Sequence, residues 1–306
     1  MENQTTVTYF ILLGFSYHLP VQIFLFLVFV FIYAVTLMGN LIIMVVIKLN
    51  SHLQSPMYFF LSQLSFLDIC YSSVTVPQLL VNFFAGQTIS YNSCITQMFF
   101  IFLTSSSEIL LLTAMAYDRY AAICNPLHYV KMINIPLCKQ LVGVAWTVGF
   151  FYAITNTLPA LKLSFCGPNV IRHFSCELPS LLALSCTGTS MSKIIFFISG
   201  GAVGGMAFFL TLLSYIHIIS TILKIASAEG RRKAFSTCSS HLIVVVLIYG
   251  TGYFRYLRPD SASSIILDEL FSVQYSISTP MLNPIIYSLK TKEVMEAIKK
   301  LIRQKH

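Results

Sequence analysis

Charged side chains are scarce in this chain: 10% of its 306 residues are Asp, Glu, Lys or Arg, whereas 56% are hydrophobic. A soluble domain averages roughly 25% charged residues, so the composition indicates a protein of the lipid bilayer. The first 20 residues contain no Lys or Arg, and no short apolar segment with a cleavage site stands apart there. A cleaved signal peptide is therefore not expected, and the first apolar run is predicted to serve as the signal anchor.

Other absences narrow the class of function. A light-driven retinal protein needs a lysine inside its last helix for the Schiff base, but Lys290 stands at the end of the last apolar run. No repeat relates the two halves, and the buried carboxylates cluster at one depth, which argues against a transporter. No nucleophile–base pair or metal cluster occurs at useful spacing, so the chain is predicted not to be an enzyme.

Long apolar runs dominate what is present. A membrane helix needs about 20 mostly apolar residues, and seven runs are long enough. They lie near 22–48, 56–82, 95–120, 140–161, 194–223, 237–257 and 269–289. Because these runs are continuously apolar, and do not alternate over about 10 residues, a closed β-barrel is excluded. The predicted fold class is an all-α membrane protein: a seven-transmembrane helix bundle with a short amphipathic C-terminal helix.

The distribution of Lys and Arg sets the predicted orientation. With the N-terminus outside, 14 of the 19 basic residues fall on the inner side, and cytoplasmic loops normally carry this excess. The net charge of +8 is thus explained by topology and contact with membrane lipids, and no nucleic-acid partner is expected. Residues 228–233 are predicted to form a short basic inner loop. The single domain 1–306 is divided into an extracellular N-terminus (1–21), the bundle (22–289) and a cytosolic amphipathic helix and tail (290–306).

Cysteines and one sequon mark the outer side. Cys94, Cys166, Cys176 and Cys186 are predicted at outer helix ends or in a long outer loop. Four cysteines allow three pairings, and the sequence alone does not choose among them. The remaining cysteines, expected to stay reduced, are Cys70, Cys124, Cys138 and Cys238. Asn3 begins an Asn-Gln-Thr sequon on the outer side and is predicted to be glycosylated, although such triplets also arise by chance.

Short motifs follow one another along the apolar runs. They include Gly39-Asn40, Pro56-Met57-Tyr58-Phe59-Phe60-Leu61, Met115-Ala116-Tyr117-Asp118-Arg119-Tyr120, Ser214-Tyr215, Lys233-Ala234-Phe235-Ser236-Thr237-Cys238 and Pro280-Met281-Leu282-Asn283-Pro284-Ile285-Ile286-Tyr287. Each motif is weak alone, but all of them in order form a specific pattern over nearly the whole chain. The chain resembles the olfactory receptors, a branch of the rhodopsin-like G-protein-coupled receptors, in their tetrapod-type (class II) form. Gln54, where that family usually has His, is a small departure.

The resemblance implies a function and two disulfides. It implies an odorant receptor that binds a small volatile ligand in the outer half of the bundle. The receptor would activate a stimulatory olfactory-type heterotrimeric G protein, raise cAMP, and reside in the plasma membrane, in sensory cilia. It also implies that Cys94 pairs with Cys176, and that Cys166 pairs with Cys186.

Asp118 and Arg119 stand side by side where the third apolar run meets a polar loop, a place where unpaired charges are costly. The acid can hold the guanidinium in an inactive state, and its release frees a planar donor for a bound partner. The alternative is an interfacial Arg that snorkels to lipid headgroups. His241 is expected to hydrogen-bond across helices toward Arg119, and Pro284 to bend the last helix. The predicted G-protein switch comprises Asp118, Arg119, Tyr120, Tyr215, His241, Asn283, Pro284 and Tyr287.

Asp68 and Glu108 fall deep within the second and third runs. A buried carboxylate must be neutralised by a proton, a partner or a cation. Rhodopsin-like receptors place sodium beside the matching Asp, so a structural or allosteric Na⁺ is expected at Asp68 and Glu108. The alternative is a protonated Glu108 in a packing network. The side chains expected nearby are Asn40, Ser65, Ser107 and Asn283.

The ligand pocket is expected between the third, fifth, sixth and seventh helices, since small-ligand sites are mostly apolar clefts between elements. Shared helix faces give the lining, although each member can instead be an ordinary packing residue. The predicted lining is Met98, Ile101, Phe102, Ser105, Ser106, Ile109, Phe196, Ser199, Gly200, Val203, Tyr249, Tyr253, Tyr256, Ser272 and Ser276. No carboxylate is expected to face the pocket, so a cationic amine would find no counter-ion there. The predicted ligand is therefore weakly polar.

Overall fold

The computed structural model describes most of the chain. The described residues are 7–14, 18–84, 86–166, 168–256, 270–290 and 292–303. Asn3 lies outside these ranges, so its glycosylation stays a prediction.

The described part is built mainly from helices. They are α1 (Leu19–Leu49), α2 (Pro56–Phe84), α3 (Tyr91–Cys124), α4 (Tyr129–Met132), α5 (Ile135–Ala160), α6 (Leu178–Leu184), α7 (Ser190–Gly200), α8 (Met206–Lys224), α9 (Ala228–Tyr256), α10 (Thr279–Lys290) and α11 (Lys292–Arg303). The segment between α5 and α6 is a long connection that contains a strand. A π turn at Gly201–Gly205 joins α7 to α8, and another at Gln274–Ser278 leads into α10.

Six of these helical runs are long and apolar enough to cross a membrane, counting only the part of the chain that the structure describes. They are α1, α2, α3, α5, the continuous α7–α8 run and α9. Residues 270–290 form a seventh continuous helical run at the position of the seventh predicted segment. The predicted apolar runs therefore correspond to helices, which extend a few residues beyond most of the predicted ends.

Helix α3 is the centre of the bundle. Among the 18 consecutive residues of α3 that are most apolar, 61% are buried. The corresponding share in α1 is 11%, because that helix presents most of its surface outward. Since α3 packs against α2, α5 and α8, even its polar groups are buried, among them Ser107 and Glu108. The helix begins at a capped turn, where the Ser90 hydroxyl accepts a hydrogen bond from the Ser93 backbone N–H at 3.2 Å.

A small sheet caps the bundle at the end where α3 begins. Its strands β1 (Tyr9–Leu12), β2 (Thr88–Ser90) and β3 (Val170–Ile171) lie in the order β2-β1-β3. β1 runs antiparallel to β2 and parallel to β3, and it buries Phe10 and Leu12 completely. This sheet was not predicted from the sequence, where residues 1–21 were assigned only as an extracellular N-terminus.

Two disulfides hold the connection between α5 and α7. Cys94 near the start of α3 is bonded to Cys176, with their Cα atoms 5.4 Å apart. Cys166 is bonded to Cys186, which closes the connection on itself. Both pairs are those implied by the family resemblance. The cysteines expected to be reduced are free thiols, namely Cys70, Cys124, Cys138 and Cys238.

One local expectation was wrong, and one local feature was not foreseen. Residues 228–233, predicted as a basic loop, form the first turns of α9. Most of these residues are good helix formers, and Glu229 in the first turn interacts favourably with the helix dipole. The π turn at Gly201–Gly205 was also unforeseen, although its glycines tolerate a widened turn because they carry no side chain.

Close packing of α3 against α5 depends on Gly149. A Cβ atom at this position would meet the carbonyl oxygen of Leu103 at 2.9 Å and would also collide with the Ser107 hydroxyl. Gly143 lies on the same helix, but a Cβ there would meet nothing within 4 Å. These two glycines therefore form a matched pair in which only one supports the helix contact.

We predict that Gly149→Ala destabilises the protein by about 1–3 kcal/mol, because overpacking forces the two backbones apart. Gly143→Ala should be neutral or slightly stabilising, since it lowers the entropy of the unfolded chain. Thermal unfolding of the detergent-solubilised protein measures both. An equal melting temperature for the two variants would contradict the packing role of Gly149.

Candidate functional site

A cavity of about 380 Å³ opens between α3, α7, the Gly201–Gly205 π turn and α9. This size lies at the small end of the range for ligand sites. Ten of the residues predicted from helix spacing line it. They are Met98, Ile101, Phe102, Ser105, Ser106, Ile109, Phe196, Gly200, Val203 and Tyr249.

Several lining residues were missed by the sequence analysis. Tyr71 and Tyr152 come from α2 and α5, the second and fourth membrane helices, which were not among those expected to surround the pocket. The segment that follows Cys176 closes one side of the cavity, where the Cys94–Cys176 disulfide fixes it. The other missed residues are Leu178, Pro179, Phe197, Gly201, Gly204, Ile248, Thr251, Gly252 and Tyr275.

Three predicted serines do not line the cavity. The Ser199 hydroxyl lies 3.1 Å from the Asn156 amide nitrogen, so it faces α5. Ser272 is 2.9 Å from the His173 ring, and Ser276 is 3.2 Å from the Tyr71 hydroxyl. In each case a polar partner on a neighbouring segment holds the hydroxyl away from the cavity. The side chains of Tyr253 and Tyr256 lie outside the described part of the structure, so their role stays a prediction.

A carboxylate does line the cavity, which corrects the expectation that none would. Glu177 is 8% exposed, and its side chain accepts a hydrogen bond from the Ser175 hydroxyl at 3.3 Å. The His173 ring nitrogen lies 3.9 Å from the same oxygen. The helix pattern missed Glu177 because this residue comes from the loop before α6, where no periodicity indicates which side chains turn inward.

Asp68 and Glu108 form a second polar cluster in the middle of the bundle. The Asn283 amide donates to both oxygens of Asp68 at 3.0 Å, and the Tyr275 hydroxyl donates to Glu108 at 3.2 Å. Tyr275 also lines the cavity, so it connects the cavity wall with this cluster.

The side chains predicted around these carboxylates are only partly found there. Asn283 contacts Asp68 directly, and Ser65 is buried on the same helix as Asp68. The Asn40 amide donates to the carbonyls of Thr36 and Pro280. Ser107 was placed wrongly: its hydroxyl donates to the Ala145 carbonyl at 3.3 Å, because residue 107 turns one helix position away from Glu108, toward α5.

At the far end of α3, Asp118 and Arg119 form a buried ion pair. Arg119 Nε donates to Asp118 Oδ2 at 3.0 Å, and a second guanidinium nitrogen binds the same oxygen. The Tyr129 hydroxyl donates to Asp118 Oδ1 at 2.7 Å from the short helix α4. Burial and the charge of Asp118 raise the pKa of Tyr129, so the phenol stays protonated and keeps donating. No pattern in the sequence singled out Tyr129.

His241 on α9 links three helices beside this ion pair. Its Nε2 lies 3.1 Å from the Leu112 carbonyl oxygen, which can only accept, so Nε2 carries the proton. The Tyr215 hydroxyl then donates to Nδ1 at 2.6 Å. Among the described residues, His241 makes no hydrogen bond to Arg119, contrary to the prediction. His241 binds α8 and the middle of α3 instead, since its ring is completely buried between them.

The remaining switch residues lie on α3 and α10. Tyr120 packs against Tyr117 and His217, with ring centroids 6.1 and 5.8 Å away. Tyr287 is buried, and its hydroxyl has no hydrogen-bond partner among the described residues. Pro284 packs against Gly39, where an added Cβ would approach the proline ring to 3.1 Å.

The geometry thus defines a class: a membrane helix bundle with a ligand-sized cavity toward one end and a buried ionic lock, the Asp118–Arg119 pair, at the other.

A family model described as olfactory receptor matches residues 29–305. The chain is 49% identical to olfactory receptor 5G9 of Mus musculus over 298 residues, covering 97% of this chain and 95% of the relative. It is 49% identical to olfactory receptor 5A1 of Homo sapiens over 304 residues, covering 99% and 96%. It is 48% identical to olfactory receptor 5A2 of Homo sapiens over 304 residues, covering 99% and 94%.

The chain belongs to the olfactory receptor family. Membership identifies a multi-pass, seven-helix G-protein-coupled receptor that senses odorants, and it excludes an enzyme. The run 270–290 is accordingly the seventh helix of the bundle.

We predict that Tyr129→Phe raises basal G-protein activation about fivefold. The lost bond to a charged group corresponds to about 1 kcal/mol after allowance for the partial exposure of Tyr129. Without this hydrogen bond the Asp118 carboxylate is held less firmly in position, so it would release Arg119 more readily. Nucleotide exchange on the G protein without ligand, normalised to receptor at the cell surface, measures this.

Tyr117→Phe is the matched control for Tyr129→Phe. Tyr117 is 37% exposed and packs on Tyr120, so the loss of its hydroxyl should leave basal activity unchanged. Basal activity that does not differ between the two variants would contradict a restraining role for Tyr129.

Proposed function

We propose that an odorant binds in the cavity beside α3 and favours a state in which the Asp118–Arg119 pair opens toward the G protein. The partner proposed is a stimulatory olfactory-type G protein, so the output is a rise in cAMP. The receptor would act in the plasma membrane, with its N-terminus extracellular, and in sensory cilia.

One observation carries this proposal: the cavity shares α3 with the Asp118–Arg119 pair, and it shares both α3 and α9 with the hydrogen bond from His241 to Leu112. On α3, Ile109 lines the cavity, while the Leu112 carbonyl, about 5 Å further along the axis, accepts the bond from His241. On α9, Ile248 and Tyr249 line the cavity, and His241 stands about two turns away. A ligand that repositions Tyr249 therefore acts on the same helix whose His241 binds α3 and α8 beside the Asp118–Arg119 pair.

To activate the receptor, a ligand must bind the active state more tightly than the inactive state. A ligand that binds both states equally shifts nothing, and a shift from 1:99 to 99:1 needs roughly 5.5 kcal/mol of difference. The inactive side is stabilised by the His241–Tyr215 bond and the Asp118–Tyr129 bond, among others. A small volatile ligand can bias this balance only partly, which suits detection followed by amplification in the cell.

The orientation of the receptor follows from chemistry at its two ends. Disulfides persist in oxidising compartments, which supports the end that bears Cys94 and Cys176 as extracellular. Arg231, Arg232 and Lys233 at the start of α9 lie at the opposite end, where anionic lipid headgroups attract basic side chains. Helix α11 buries Val294 and Ala297 against the bundle, consistent with a helix lying on the inner membrane surface.

We also propose a sodium ion at Asp68 and Glu108. The donor set fits: buried side-chain oxygens of Glu108 and Asn283 have no hydrogen-bond partner among the described residues. A hard cation takes oxygen ligands of this kind, and it would neutralise the carboxylates while the inactive packing holds. The alternative is a proton shared between the two carboxylates.

We predict that Glu108→Gln removes the dependence of ligand potency on sodium. The amide keeps the shape of the side chain but loses the charge that attracts a cation. A titration of NaCl against choline chloride, with G-protein activation as the readout, measures this. Glu229→Gln, the same change on the exposed start of α9, should leave the sodium dependence intact. An unchanged sodium response in Glu108→Gln would reject the ion and favour the proton.

We predict that Gly204→Val lowers the potency of activating odorants about tenfold or more, because its side chain fills part of the cavity. A Cβ at Gly204 meets nothing within 4 Å, so the fold should tolerate the change. Gly205→Val is the matched control, since Gly205 is exposed and lies outside the cavity lining. A cAMP assay with a broad odorant panel tests both variants. Equal dose–response curves for both would place the ligand elsewhere.

A further inference from the structure

Two residues of the cavity wall also lie on the outer surface of the bundle. Phe197 on α7 lines the cavity, yet its side chain is 65% exposed. Gly201, one turn further along the chain, lines the cavity and is exposed as well. A wall that sealed the cavity would bury the residues that form it. The cavity therefore reaches the outside of the bundle beside these two residues.

This opening lies at the depth of the membrane. Ser190–Lys224 is one of the helical runs that are long and apolar enough to cross a bilayer. Gly201 stands about 16 Å along this run from Ser190, at roughly 1.5 Å per residue. The hydrocarbon core of a bilayer is about 30 Å thick, so the exposed surfaces of Phe197 and Gly201 face acyl chains and not water.

Glycines border the opening on both sides. Gly201 and Gly204 lie on the π turn, Gly252 lies on α9, and all three line the cavity. A Cβ atom at any of the three would meet nothing within 4 Å. The missing side chains leave a gap between the π turn and α9. We call the opening bordered by Phe197, Gly201, Gly204 and Gly252 the side slot.

One aromatic contact closes the inner edge of the side slot. Phe208 on α8 is 48% exposed and lies outside the cavity lining. It is four residues beyond Gly204, so the two residues share a face of the helix. Its ring packs edge-on against Tyr249 of α9, with the ring centroids 5.2 Å apart. Loss of the Phe208 ring would therefore widen the side slot without removing a lining residue.

The described part of the outer end is held firmly over the cavity. Cys176 is bonded to Cys94, and its backbone N–H donates to the Gln97 side chain at 2.8 Å. Strand β1 pairs with β3, and its Phe10 packs in the same apolar cluster as Leu178, which lines the cavity. Entry past these residues would have to break the contacts between them. Entry through the side slot requires mainly that acyl chains move aside.

We infer that odorants enter and leave the cavity sideways from the lipid bilayer, through the side slot. The inference rests on the proposed function, which makes this cavity the odorant site. The route favours uncharged, membrane-soluble odorants, because each CH₂ group raises the concentration in hydrocarbon over that in water about fourfold. The bilayer thus collects the odorant and delivers it at the depth of the side slot. A permanently charged molecule of the same size is excluded, since its charge would have to leave water.

A thiol placed inside the cavity tests this route without an odorant. Ser105 lines the cavity and is partly buried, so Ser105→Cys introduces the thiol with little change of shape. Intact cells that carry this variant are treated with octyl methanethiosulfonate, which dissolves in the bilayer. Parallel cells receive trimethylammonioethyl methanethiosulfonate, which is permanently charged and stays in water. Mass spectrometry of the peptide that contains position 105 gives the rate of modification.

The two reagents are compared with a reference position in water. Thr88→Cys, exposed on the outer sheet, normalises their intrinsic reactivities. After normalisation the octyl reagent should modify position 105 at least tenfold faster than the charged reagent, about the ratio expected when one of them is kept out of the bilayer. Comparable rates would overturn the inference, because they would reveal a path open to water from the outside.

Two substitutions change the side slot in opposite directions. In the Ser105→Cys background, Gly201→Leu narrows it and should slow the octyl reagent about fivefold or more. Phe208→Ala widens it and should accelerate the same reaction about threefold or more. Gly205→Leu and Phe209→Ala are the matched controls, since both positions are exposed and lie outside the cavity lining. The rates in these controls should not change.

Failure of the route and failure of the odorant site give different results. Equal rates in all four variants would overturn the inference. Slowing by Gly201→Leu without acceleration by Phe208→Ala would show that the leucine only fills the cavity, and it would also reject the side slot. Either result leaves the proposed function standing, because no odorant takes part in the reaction. The proposed function fails instead if Gly204→Val and Gly205→Val give equal odorant responses.

Discussion

The ion pair between Asp118 and Arg119 constrains everything at the inner end of the bundle. Removing two charges from water is tolerable only where their remaining hydrogen-bonding groups find partners. Asp118 is fully buried and accepts from Arg119 on one oxygen and from Tyr129 on the other. The arrangement therefore requires that α4 stay folded against α3. A change in any of the three side chains alters the other two.

Helix α3 is the axis along which this constraint reaches the cavity. Its residues line the cavity, bear a buried carboxylate, accept the bond from His241 and hold the ion pair, in that order along the helix. None of these sites has to move α3 itself, because α8 and α9 pack against it through the buried Tyr215–His241 contact. In the proposed function, α3 is thus the fixed element against which the neighbouring helices change position.

Much of this arrangement could be predicted from the sequence. Continuous apolar runs can satisfy their backbone groups only as helices, so the spans and their order followed directly. The cavity-facing side of α3 followed from helical spacing, which placed Met98, Phe102 and Ile109 correctly. The same spacing failed for Ser199 and Ser276, because a helix face can turn toward a neighbouring helix or toward a cavity, and periodicity does not distinguish them. Asn156 and Tyr71, distant in sequence, decided those two cases.

Features fixed by distant partners escaped prediction. Strand β1 forms because β2 and β3, which are distant in sequence, pair with its two edges. A run of four residues carries too little pattern to predict this pairing. Glu177 reaches the cavity because a disulfide and a short helix set its loop. The π turn is invisible to any scheme that assumes a uniform helical period, although the glycines at 201, 204 and 205 were a compositional sign of it.

Those glycines bear on how such a receptor changes over generations. Gly201 and Gly204 border the cavity, and a Cβ at either position would enter open space. In a packed core most enlargements are removed by selection because they disturb the fold. If the cavity is the odorant site, as proposed, a single-base mutation here alters what the receptor detects without damage to its folding. A helical stretch that tolerates new side chains gives a duplicated receptor gene a short route to a new odour.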